Sequence, residues 1–98
     1  QSRDFVYVGD VVGHLLAAYD QTSRQAPVFN VCTGRATTVA DLAGTLMNLA
    51  DRTPAVQHGP ARPGDIRRSV GDPSAAITSL GLAAQVSLAD GLYRTLMA

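Results

Sequence analysis

Apolar positions along the chain alternate between short β-like runs and helical stripes. Asp4–Val8 (Asp-Phe-Val-Tyr-Val) is rich in β-branched and aromatic residues and reads as a strand. Asp10 then stands where a helix N-cap belongs, with a carboxylate able to accept from the first free backbone amides. Val11, Val12, Leu15, Leu16 and Tyr19 recur at helical spacing, so the pattern predicts a helix over Val11–Gln21 with that face buried. Thr22–Pro27 is a polar connection. Val28–Cys32 reads as a second strand, ended by Thr33-Gly34. Thr38, with Asp41 three residues on, opens a helix whose apolar stripe is Val39, Leu42, Ala43, Leu46, Leu49 and Ala50.

Pro54–Gly59 reads as a further strand anchored by Val56, and Ile66–Val70 as extended chain. Between them Pro60–Asp65 is too rich in proline and glycine for a helix interior. Asp72-Pro73-Ser74 is a helix start, with Asp as N-cap and Pro in the first helical position. That helix runs to Leu80, and Gly81 is a left-handed stop. Ser87 and Asp90 repeat the capping pattern ahead of Leu88, Leu92 and Leu96. The order is β-α-β-α-β-α-α: an α/β chain, read as a mixed α+β lobe carrying the last strand or strands of a Rossmann-type sheet.

Composition narrows the function. The eight basic residues are all arginine and the eight acidic ones all aspartate, so the net charge is zero. A neutral chain lacks the basic excess that nucleic acid or an anionic membrane demands. No apolar run approaches the ~20 residues of a membrane helix, and no export pattern is present, so the expected compartment is the cytoplasm. With no lysine, neither a Schiff-base lysine nor a P-loop is available. His14 and His58 lack a second ligand at metal spacing, and His14 reads as a helix-surface or interface residue. Cys32, alone, excludes an internal disulfide and reads as a buried structural thiol. The chain starts at Gln1 and enters strand-like sequence at once, so it is expected to be a piece of a longer protein.

What remains is Arg3, ahead of the first strand, and the turn Arg62-Pro63-Gly64-Asp65. An arginine in a rigid turn suits phosphate oxygens, because its fork donates two parallel charge-assisted bonds. An ionised aspartate, acceptor-only, suits a sugar diol. The plain alternative is that Arg62 pairs with Asp65, and Arg3 with Asp4.

Four segments in order carry a resemblance: Arg3–Val11, Phe29–Gly34, Arg62–Asp65 and Asp72–Ser74. Together they resemble the C-terminal part of the NAD-dependent epimerase/dehydratases, the extended short-chain dehydrogenase/reductase family typified by UDP-glucose 4-epimerase. The resemblance covers residues 1–98. It implies that Arg3 and Arg62 contact the diphosphate of a nucleotide sugar and that Asp65 holds the nucleotide ribose. It implies a structural role for Asp10. It implies a parent that uses NAD, acts on a UDP-glucose/UDP-galactose type substrate and forms a homodimer. This piece would hold no cofactor alone and supply no catalytic residue, since the family's Tyr-x-x-x-Lys pair needs a lysine. A 4,6-dehydratase or reductase on the same scaffold, a nucleotide-sensing module and a plain interaction domain stay open.

Overall fold

A ladder needs only a few paired residues where other bonds hold its strands in place, and the sheet here is of that kind. The computed structural model describes residues 1–21 and 26–98. Strand β1 (Ser2–Arg3) pairs antiparallel with β2 (Thr37–Thr38) and parallel with β3 (Arg68–Ser69), in the order β2-β1-β3. Helices α1 (Val8–Asp20), α2 (Val39–Ala50), α3 (Ser74–Leu80) and α4 (Leu88–Met97) complete the described elements. The expected α/β class and the order β-α-β-α-β-α-α both hold.

The strand positions differ from the sequence reading. Asp4–Val8 is not a strand: pairing stops at Arg3 and α1 begins at Val8. Its apolar content reflects packing, not a ladder, because Tyr7 stands against Gly91 and under the guanidinium of Arg94, 5.5 Å from the ring centre. Val28–Cys32 and Pro54–Gly59 enter no ladder among the described residues. Of Ile66–Val70, only Arg68 and Ser69 pair. Most of the polar connection, residues 22–25, lies outside the described residues.

The helices follow their caps. The Thr38 hydroxyl accepts from the Asp41 amide at 3.0 Å, and the Ser87 hydroxyl from the Asp90 amide at 3.2 Å. Gly81 closes α3 at φ 66°. Pro73, not Asp72, is the N-cap of α3; Asp72 acts from one residue upstream, accepting from the Ser74 amide at 2.9 Å and its hydroxyl at 2.7 Å. Asp10 is not an N-cap either, because α1 starts earlier, at Val8, with Tyr7 as its N-cap. Its carboxylate instead accepts from the backbone amides of Gln85 and Val86, both at 3.0 Å, and so ties α1 to the approach of α4.

The burial of α1 is the reverse of the expected one. Val12, Leu15, Leu16 and Tyr19 are exposed, Tyr19 at 83%, while His14 is only 3% exposed. The buried ring donates from Nδ1–H to the Asp10 carbonyl at 2.7 Å, which pairs that nitrogen within its own helix. The helix packs its other side on α3 and, at Gly13, near Leu82. Helical spacing identified the stripe, but not what would cover it.

Three segments cross behind β1. A Cβ on Gly71 would lie 2.6 Å from Cys32 Sγ and 2.9 Å from Cys32 Cβ, so the Cys32 side chain can lie against the backbone here because residue 71 is glycine. Cys32 is buried there, as the sequence reading held. Gly71→Ala is therefore expected to destabilise the chain by about 1–3 kcal/mol. Cys32→Gly in the same chain should restore most of the loss, as read by urea unfolding. A neutral Gly71→Ala would show that this crossing is loose.

Candidate functional site

The turn carrying Arg62 and Asp65 is built by the two residues between them. Pro63 fixes its own φ, and Gly64 takes φ 85°, the pattern of a type II turn. The Asp65 amide donates back to the Arg62 carbonyl at 3.2 Å. Arg62 Nε stands 3.4 Å from Asp65 Oδ2, so the pair anticipated from spacing does form. The Arg62 side chain is nevertheless 85% exposed. An ion pair that exposed stabilises by about 0–1 kcal/mol and opens readily to a stronger anion.

Pairing of β1 with β3 brings the start of the chain to this turn. The Ser2 amide donates to the Arg67 carbonyl at 2.9 Å, and the Gln1 amide side chain donates to Asp65 Oδ2 at 3.3 Å. Gln1 and Arg3 are two residues apart, so they project to one side of the extended backbone. Arg3, half-buried, lies between Thr37 and Ser69 in register, and its Nη1 donates to the Ser2 carbonyl at 2.8 Å. Arg3, Arg62 and Asp65, far apart in sequence, thus share one edge of the fold. Arg67 and Arg68 add cationic charge beside them; the sequence reading passed over both, although their place just after the turn was visible.

Arg3 does not pair with Asp4. The Asp4 carboxylate accepts from the Thr33 amide at 2.9 Å, the Thr33 hydroxyl at 2.6 Å, the Gly34 amide at 2.8 Å and the Gly71 amide at 3.4 Å. Beyond Arg3 the same part of the fold holds an open cavity of about 330 Å³, lined by Phe5, Thr33, Arg35, Thr37, Gln85 and Ser87. The Arg35 amide donates to the Thr33 hydroxyl at 3.0 Å, so the cavity wall is linked to Asp4. No group of three or more His, Cys, Asp or Glu side chains among the described residues could hold a metal. Burial pushes the Cys32 thiol up, and the negative charge of Asp4 pushes it further, so it stays protonated.

No family model matches the chain. The chain is 34% identical over 94 residues to the UDP-glucose 4-epimerase of Mycolicibacterium smegmatis, covering 96% of this chain and 30% of that enzyme. It superposes on the UDP-glucose 4-epimerase of Thermotoga maritima, solved with UDP-glucose, with a TM-score of 0.86 and 36% identity. That match takes in 99% of this chain and 33% of the other. The Bifidobacterium longum UDP-glucose 4-epimerase, in complex with NAD+ and UDP, gives a TM-score of 0.90 at 27% identity, over 97% of this chain and 29% of that one.

Fold and sequence together match part of enzymes that act on nucleotide sugars. Over nearly its whole length the chain is similar to part of the NAD-dependent epimerase/dehydratases. It spans about a third of the length of these relatives. The residues present do not fit NAD itself. There is no lysine, and the path from β1 into α1 through Asp4–Tyr7 has no glycine, Gly9 and Gly13 lying inside α1, so the glycine-rich phosphate turn is lacking there.

The Asp4 cluster makes a pH prediction. Burial raises its pKa, but the bonds from Thr33, Gly34 and Gly71 outweigh burial and hold it below the ordinary 3.8. The stability it contributes is complete above that ordinary value and is lost as pH falls through the lowered one. Resistance to urea is expected to fall as pH drops below about 4, and Asp4→Asn should flatten that acid limb. An equally steep limb in the variant would place the effect elsewhere.

Proposed function

We propose that this chain is the C-terminal, nucleotide-sugar-binding part of a UDP-glucose 4-epimerase-type enzyme, with the NAD-binding part outside residues 1–98. Arg3 and Arg62 hold the diphosphate, and Asp65 accepts hydrogen bonds from the ribose diol. The observation that carries this reading is the convergence of Arg3 with the Arg62–Asp65 turn at one edge, through the Gln1–Asp65 and Ser2–Arg67 bonds. Two guanidinium groups, Arg62 exposed and Arg3 half-buried, match the two negative charges of a diphosphate better than one weak exposed pair does. The presence of UDP-glucose and UDP in the solved relatives supports uracil as the base. The chain itself moves no proton or hydride; it fixes the substrate against chemistry supplied elsewhere in the parent, which is where positional binding contributes to rate. The parent acts in the cytoplasm as a homodimer, a reading that rests on the family resemblance.

Titrating the isotope-labelled chain with UDP-glucose tests this. Amide shifts should gather around residues 1–3, 37, 62–65 and 67–69. Arg62→Ala and Arg3→Ala should each weaken binding roughly ten-fold or more, the effect of losing a charge-assisted bond. Shifts confined to α1, or indifference to both substitutions, would refute the assignment.

A further inference from the structure

Arg3 is a long side chain on a strand of two residues. Its ladder bonds fix the backbone position of β1 but not firmly the tilt of β1 against its neighbours. That task falls to the next residue. Alternation sends Arg3 to one side of the backbone and Asp4 to the other. On that other side Asp4 Oδ1 takes the Thr33 amide and hydroxyl, and Oδ2 takes the Gly34 and Gly71 amides. Thr33 and Gly34 lead into β2, and Gly71 follows β3 by two residues. One carboxylate therefore binds β1 to the chain on both of its flanks, directly behind Arg3. The residues beside Arg3, Thr37 on one strand and Ser69 on the other, are carried by those same two segments.

We propose that Asp4 is a positioning residue of the diphosphate site. It touches no ligand, but sets the placement of Arg3 and of the Thr37 and Ser69 walls. This rests on the reading of Arg3 as a diphosphate contact. The role requires a carboxylate: four donors converge on two oxygens, and an asparagine would turn an NH₂ group against one pair of them. It also requires the three partners to be held, which the Gly71–Cys32 contact provides from the same side.

A double-mutant cycle on UDP-glucose binding tests the proposal, using the labelled chain, Arg3→Ala, Asp4→Asn and the double variant. Asp4→Asn is expected to weaken binding about ten-fold while the amides of α2 and α4 keep their shifts. In the double variant binding should be no more than about two-fold weaker than in Arg3→Ala alone, because Asp4 acts through Arg3. Losses that multiply, or an Asp4→Asn chain that melts earlier but binds as well when folded, would overturn the proposal. Should Asp4→Asn not fold, Thr33→Val removes the hydroxyl bond alone, and the same cycle should show a smaller, still non-additive loss; a multiplicative one overturns it. If the unaltered chain does not bind UDP-glucose at all, the ligand reading fails and Asp4 is judged on Arg3 itself. Nitrogen-15 relaxation at Arg3 Nε in the free chain should show lost order when Asp4 or the Thr33 hydroxyl is removed, and unchanged order would refute the positioning role.

Discussion

A three-stranded sheet with two residues in each strand closes very few backbone bonds, each worth about 1 kcal/mol net. Such a ladder cannot by itself hold three distant segments together against the chain entropy of ordering them. The Asp4 carboxylate makes up the difference. Its four bonds, three part-buried and the Gly34 one exposed, reach the loop before β2 and the chain after β3, and a charged acceptor makes each stronger than a neutral ladder bond. Gly71 and Cys32 meet beside it, closer than any Cβ at position 71 would permit. The sheet is thus held from behind, and its front is left for arginines.

The rest of the chain is fastened in the same manner, by polar clasps more than by a core. Cys32, Ala76, His14 and Gly91 are the residues buried outright among those described. Asp10 holds residues 85 and 86, Gln21 donates to the Ser79 carbonyl at 3.1 Å, and Tyr7 is clasped by Gly91 and Arg94. The radius of gyration is 16.1 Å, against about 13 Å for a compact domain of this length. The exposed stripe of α1 belongs to the same picture: apolar area that the described residues leave uncovered, and that contributes nothing to the stability of these residues by themselves.

Local chemistry was legible where cause and effect lie close in sequence. Thr38 with Asp41, Ser87 with Asp90, and Gly81 each act within four residues, so α2, α3 and α4 could be placed from sequence. The Pro63-Gly64 turn was legible for the same reason. Strands were not, because β-branched residues report a tendency to pack, and Asp4–Val8 satisfies it against α4 instead of in a ladder. The face of α1 was misread because period reveals a stripe but not its partner. Asp4 was taken as a possible mate for Arg3; its true partners lie at 33, 34 and 71, beyond any local pattern.

Arg3 and Arg62, assigned the same chemistry, are held in opposite ways. Arg62 is almost fully exposed and leans on Asp65 in a pair that water and salt weaken. It can swing to a ligand at little energetic cost, but it loses side-chain freedom on binding. Arg3 is half-buried between two strands, so most of its freedom is already gone before a ligand arrives. Its contribution depends on being placed correctly, and that placement is decided on the far side of the strand. On the proposed reading, such a site joins one preorganised cation to one adaptable cation, the first setting where a diphosphate would sit and the second closing on it.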